Sequence, residues 1–184
     1  MQGGGALASL AETLRTSRGL AAKADIAVAA SALGLSGAGA VPVGDDGAAI
    51  PDGDGYLLLA IEGFMNEFVA GDPWFAGWCG VMVNLSDIAA MGGRPVAVVD
   101  ALWAQGAGEA APVLAGLRAA SERFGVPVVG GHTNLRCDRG QLSVAVLGRA
   151  RRLLTSFGAR PGERLVMAVD LRGRYREPFS NWEA

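Results

Sequence analysis

The chain has 184 residues, enough for one compact domain with a core of its own and too few for two full ones. It is 51% hydrophobic and 18% charged, a balance that excludes a disordered chain. A formal net charge of -2 gives no bulk attraction to a nucleic-acid backbone, and no basic patch of the kind such a backbone needs is expected.

Among the cationic residues the single lysine is Lys23, so any chemistry that requires an amine has one candidate. Cys79 and Cys137 lie far apart without C-x-x-C spacing. That fits neither a disulfide framework nor a zinc site and points to a reduced, cytoplasmic setting. The first residues carry no basic stretch ahead of an apolar block, so no secretory signal is expected. The uncharged run from Ile26 to Gly44 is mostly Ala, Gly and Ser and contains Pro42, which suits the end of a helix and a loop rather than a membrane span.

In chain order, Leu7, Leu10 and Leu14, then Ile26, Ala29, Ala30 and Leu33, recur at helical spacing, predicting two helices separated near Gly19. Residues 1–43 thus form an amino-terminal helical segment. Ala48 to Ile50 and Tyr56 to Glu62 are short apolar runs flanking PDGDG, whose Asp-Gly pairs favour a hairpin; the glutamate that a calcium loop needs is missing downstream. Asp72 can cap and Pro73 begin a helix that Gly92-Gly93 ends. On it Phe75, Cys79, Met82, Ser86 and Ala89 form the expected core stripe, while Asn84, Asp87 and Met91 share another that points away from the main packing face. A strand (PVAVVDAL), a helix (Glu109 to Phe124, with Val113, Leu117 and Ala120 inward) and two strands (VPVVGGHT and QLSVAVLG) follow. Beyond Pro161-Gly162, RLVMAV reads as the opening strand of something new, and the polar, aperiodic residues after it read as linker. The implied class is α/β, or α+β, with a core domain over residues 44–163 and a linker or the start of a further domain over 164–184.

Four acidic positions fall at turns, strand ends or the second stripe of the helix: Asp45 and Asp46 in GDDGA, Glu62 in AIEG and Asp87 in NLSDIAAMGG. Magnesium held with a nucleotide takes a few carboxylates, with phosphate oxygens and water filling its octahedron, so carboxylates spread over several elements suit it. Asp45 and Asp46 repel each other unless a cation is near, and Gly44 and Gly47 permit close backbone approach. A bare GDD tripeptide more often marks an ordinary loop than a site. Neither a P-loop nor a strand-to-helix G-x-G-x-x-G is present, so a nucleotide must be held another way. His132, the only histidine, follows an apolar strand and two glycines in VVGGHTN, where a purely structural role competes with a functional one.

These segments together (GDDGAAI, AIEGF, NLSDIAAMGGRPVAVV, FGVPVVGGHTN, LSVAVLGRA and GARPGERL) occur in the order of the superfamily of aminoimidazole ribonucleotide (AIR) synthetase, thiamine-monophosphate kinase and selenophosphate synthetase. The resemblance spans about Gly44 to Leu165, nearly that family's whole amino-terminal domain, and NLSDIAAMGG most resembles the kinase form. It implies a mixed sheet packed by helices, whose strands pair into a barrel across a homodimer. It also implies ATP and magnesium as cofactors and phosphoryl transfer to, or activation of, a small-molecule substrate, with no nucleic acid or membrane partner. By position, Asp45, Asp46, Glu62 and Asp87 are implied at the metal, and Lys23, Asn84, Asp87, Gly131, His132 and Thr133 at the nucleotide or substrate. Two positions depart from the kinase: Ile61-Glu62 stands in place of Thr-Asp, and GGHT in place of GGDT. Neutral imidazole suits magnesium poorly, so His132 is assigned to a phosphate or the substrate. The amino-terminal glycines lack the reactive cysteine of the selenium enzymes, which disfavours selenium chemistry. The alternative is a non-catalytic nucleotide-binding or dimerisation domain, and the isolated chain is expected to turn over little.

Overall fold

The structure, a computed structural model, describes residues 3–17, 20, 25–35, 41–177 and 181–183. They fall in two units, Met1–Asp45 and Asp46–Ala184. The first holds helices α1 (Gly3–Arg15) and α2 (Asp25–Ala32). Leu7, Leu10 and Leu14 do share a helical stripe, yet all three are exposed, and none of the described side chains of either helix is buried.

The second unit is built on a five-stranded mixed sheet in the order β1-β2-β5-β3-β4. Strands β1 (Ala48–Asp52) and β2 (Gly55–Phe64) are the predicted hairpin, turning at Gly53 with φ +60°. Strand β5 (Arg136–Ala150) pairs antiparallel with both β2 and β3 (Arg94–Gln105), and only β3 with β4 (Val128–Asn134) is parallel. Helices α3 (Asn66–Gly71), α4 (Pro73–Ala90) and α5 (Ala107–Phe124) connect these strands. α4 and α5 cover one face of the sheet. Asp72 caps α4 by accepting the Phe75 amide at 3.2 Å, with Pro73 opening the helix, and Gly125 in the left-handed region closes α5. The core lies between that helix pair and the inward residues Leu58, Ala60, Val98, Leu102, Leu142, Val144 and Val146.

Two glycines set how deeply the helices pack. A Cβ on Gly77 would lie 2.0 Å from the Val113 carbonyl oxygen, and one on Gly116 would lie 1.9 Å from that of Trp74. The helices therefore touch backbone to backbone, which only glycine permits. α4 is consequently wedged between the sheet and α5, and its buried stripe differs from the expected one. Phe75 and Cys79 are buried as expected, but Ser86 and Ala89 are exposed, whereas Asn84 and Met91 are fully buried. A helix packed on two sides buries a wider arc than a single stripe.

The tail also differs from expectation. RLVMAV forms no strand, and Leu165, Val166 and Met167 are almost wholly exposed, because no described strand pairs with it. The short strands β6 (Arg174–Arg176) and β7 (Asn181–Glu183) form their own two-stranded sheet in the stretch read as aperiodic. Arg176 pairs with Asp72 and sits over the Phe75 ring, 4.2 Å from its centre.

Gly77→Ala should lower stability by about 1–3 kcal/mol, since its methyl meets backbone that can move only by separating the helices. Gly108→Ala, which meets nothing within 4 Å, should be neutral or add up to about 1 kcal/mol. Thermal unfolding followed by circular dichroism ranks the two; equal melting temperatures would mean the helices have room to part.

Candidate functional site

Asn84 and Asp87 lie three residues apart on the buried half of α4, so one turn of helix carries both toward the same region. The Asn84 amide donates to the Gly80 carbonyl at 2.8 Å, and Gly80 itself presses on Val144. Asn84 Oδ1 is buried and finds no hydrogen-bond partner among the described residues. Leaving such an oxygen unsatisfied costs about 1–3 kcal/mol, a cost that demands an explanation beyond packing. Oδ2 of Asp87 is also shielded from solvent. The helix thus holds amide and carboxylate oxygens together inside a largely apolar wall.

The sheet adds a second row. Glu62 of β2, Val144 of β5 and Asp100 of β3 are register neighbours, and Val144 is buried beneath α4, so all three side chains take the helix-covered face. The Ser143 hydroxyl donates to the Glu62 carbonyl at 2.9 Å, fixing the backbone there. Asp100 escaped the motif-based reading, although an acid in phase with Val98 and Leu102 inside PVAVVDAL is its signal. Burial pushes its carboxyl above the ordinary 3.8, against a weaker opposing contact with its own backbone, and Oδ2 has no hydrogen-bond partner among the described residues. Gly131 of β4 leaves it room: a Cβ there would sit 2.6 Å from Asp100 Oδ1.

The remaining predicted residues are distributed less simply. Asp45 ends the first unit and Asp46 opens the second, where the following Gly47 lies against β2, its added Cβ reaching 3.1 Å from the Leu59 carbonyl oxygen. Gly131, His132 and Thr133 lie on the exposed edge strand β4. His132 pairs in register with Ala101 and so faces the open side of the sheet, opposite Glu62 and Asp100, with its ring 5.8 Å from that of Trp103. Lys23 lies outside the described residues. Among the described residues no group of three or more His, Cys, Asp or Glu side chains converges as a metal cluster. Both cysteines are free, and no described helix is long and apolar enough to cross a membrane. The donor set on the helix-covered face is all hard oxygen, the type magnesium takes, and its unsatisfied Asn84 and Asp100 atoms are compatible with a polar or cationic guest.

The family model for the AIR synthase related protein N-terminal domain matches residues 44–150. In sequence the chain is similar to an uncharacterised Synechocystis sp. protein, 54% identical over 147 residues that cover 79% of this chain and 45% of the relative. It is also similar to a thiamine-monophosphate kinase of Archaeoglobus fulgidus, 35% identical over 133 residues, 70% of this chain and 44% of the kinase. In structure it is similar to AaThiL complexed with AMPPCP and TMP, with a TM-score of 0.61 and 26% identity, covering 73% of this chain and 44% of that one. Thermotoga maritima PurL complexed with ADP gives a TM-score of 0.59 at 25% identity, over 66% of this chain and 22% of that one. The chain spans less than half the length of the curated relatives it matches.

Because the folded-state pKa of Asp100 is raised, its contribution to stability is complete below about pH 3.8 and is lost as pH rises through the folded value. Asp100→Asn should therefore be more stable than wild type at pH 7, with the gap narrowing toward pH 4. Urea denaturation at both pH values measures it; a gap independent of pH would show that the carboxyl ionises as freely folded as unfolded.

Proposed function

Because the chain belongs to the AIR synthase related protein family through its N-terminal domain, we propose that it is the ATP- and magnesium-binding part of an enzyme that phosphorylates or activates a small molecule, in the manner of thiamine-monophosphate kinase. The observation that carries this reading is the buried polar face of α4, where Asn84 and Asp87 hold oxygens inside an apolar wall. AMPPCP in the complex of AaThiL and ADP in that of PurL support a nucleotide as the guest.

In this reading the resemblance assigns magnesium to Asp46, Glu62 and Asp87; these carboxylates form no metal cluster by themselves among the described residues, so phosphate oxygens of the nucleotide would complete the metal's octahedron. When bound, the metal offsets charge on the phosphates as it transfers. Asn84, with its unsatisfied Oδ1, would help orient a bound ligand, and Gly131 and Thr133 of β4 are the positions the resemblance implies for the phosphates. A cavity of about 440 Å³ opens where β3 ends, between α3 and α5. Its walls include Val69, Pro73 and Pro112, with Glu109 and Arg139 at hand, which suits a small organic substrate.

A second copy of the chain is the proposed cover for the open face of the sheet. Ile50, Leu59, Ile61 and Val99 are exposed on that face, and register places Ile61, Ala145 and Val99 side by side across β2, β5 and β3. One observation favours the alternative of a non-catalytic binding domain: His132, at the position where the kinase keeps a carboxylate, faces away from Glu62. Because the chain spans less than half the length of the relatives it matches, these 184 residues by themselves should bind without appreciable turnover.

Isothermal titration with ATP and magnesium should show Asp87→Ala weakened about tenfold or more, the scale of one lost charged contact. Glu122→Ala, whose exposed carboxylate pairs only with Arg118 on α5, should bind as wild type; equal affinities for the two variants remove Asp87 from the site. Light scattering at micromolar concentration should give twice the chain mass, falling to the monomer in Ile61→Arg/Val99→Arg. A wild-type monomer would leave the apolar face to some other cover.

A further inference from the structure

Where β2 and β3 begin and β5 finishes, a cavity of about 770 Å³ is lined by Arg94, Arg149, Arg151 and Arg152 together with Asp52 and Asp54. Its wall at Tyr56 is about six residues of β2 from Glu62, roughly 20 Å at the rise of a strand, so it is separate from the polar face of α4. The backbone around it is tightly set. A Cβ on Gly55 would lie 2.6 Å from the Ala150 carbonyl oxygen, and Gly92, at φ +76°, passes so close that a Cβ would be 3.2 Å from that of Arg152. The Leu154 amide then donates to the Met91 carbonyl at 3.1 Å. The turn carrying Arg151 and Arg152 is thus fastened between the start of β2 and the end of α4.

The charges do not cancel. Arg149 pairs with Asp52 at 2.5 Å and Arg151 with Asp54 at 3.5 Å, while Arg94 and Arg152 make no ion pair or hydrogen bond among the described residues. Four guanidiniums against two carboxylates leave an excess of two positive charges at one concavity of a chain whose net charge is -2. Each guanidinium is a planar fork of N–H donors that matches the oxygens of a phosphate group, and the volume lies within the range of about 300–1,000 Å³ usual for small-ligand sites.

We propose that this cavity binds a small anion of the phosphate or diphosphate class through the guanidiniums of Arg94 and Arg152. Asp52 limits the site by occupying Arg149. Since the side chains are exposed, binding weakens as ionic strength rises. This site does not depend on the nucleotide reading above, because it uses none of the same residues and needs no metal.

Isothermal titration of the 184-residue chain with inorganic pyrophosphate, in EDTA at low salt, tests it. Wild type should bind one equivalent, and Arg94→Ala/Arg152→Ala should lose about tenfold or more in affinity. Asp52→Ala should bind more tightly, because it frees Arg149. Should the double alanine variant fail to fold by circular dichroism, the gain in Asp52→Ala and a partial loss in Arg94→Lys/Arg152→Lys decide instead. No binding by wild type overturns the proposal, as does an affinity indifferent to both the arginine and the Asp52 changes.

Discussion

Helices α4 and α5 meet at Gly77 and Gly116 with backbone against backbone, and the seating of α4 against the sheet depends on that contact. Side chains at those two points would hold the helices apart and lift α4 off the sheet. With the helices in contact, the next glycines down α4 and on the strands complete the fit: Gly80 lies on Val144, Gly93 on Leu58, and Gly148 beneath Ile88. The result is a helix buried on two sides, with a polar side chain, Asn84, drawn fully into the interior. Hydrophobic burial supplies the favourable free energy for this arrangement, and the glycines remove the steric obstacle to it.

The same packing gives the sheet two unlike faces. Under the helices, apolar residues of β2, β3 and β5 form the core, and Glu62 and Asp100 share their register. Desolvation accordingly governs Asp100, whose carboxyl is held above its ordinary value. On the far side Ile61 and Val99 stand in the open beside Ala145, and His132 and Trp103 share that side at the β4 edge. The chemistry that the motifs suggest is therefore divided by the sheet itself. Joining the two sets requires another chain or a ligand, because pleating fixes which residues each face presents.

Along the strands the electrostatics change sign. Glu62 and Asp100 flank Val144 partway along the helix-covered face, whereas guanidiniums line the cavity at the end where β2 and β3 begin. The two sets of groups thus lie in separate regions, each attached to strands or helices of the sheet layer. Screening at physiological ionic strength, with a Debye length of about 8 Å, keeps the two ends nearly independent.

Much was legible in the residues alone. Local signals act over a few positions, so the PDGDG hairpin, the Asp72-Pro73 start of α4, the strands of β3 to β5 and the inward stripe of α5 could be read directly. The ordered motifs also pointed to the family, and residues 44–150 match it. Three features depended on tertiary structure. The burial of Asn84 and Met91 follows from packing on two sides, which no single helical period encodes. The exposure of RLVMAV follows from the lack of a paired strand, since hydrophobicity suggests a strand but only a neighbouring backbone can complete it. The division between Glu62 and His132 follows from strand register, a relation between residues far apart in sequence. The sequence by itself determined most elements between residues 48 and 150 and the kinds of side chain available, because those depend on local stereochemistry; which side chains meet, and in what dielectric, was decided only when the helices closed on the sheet.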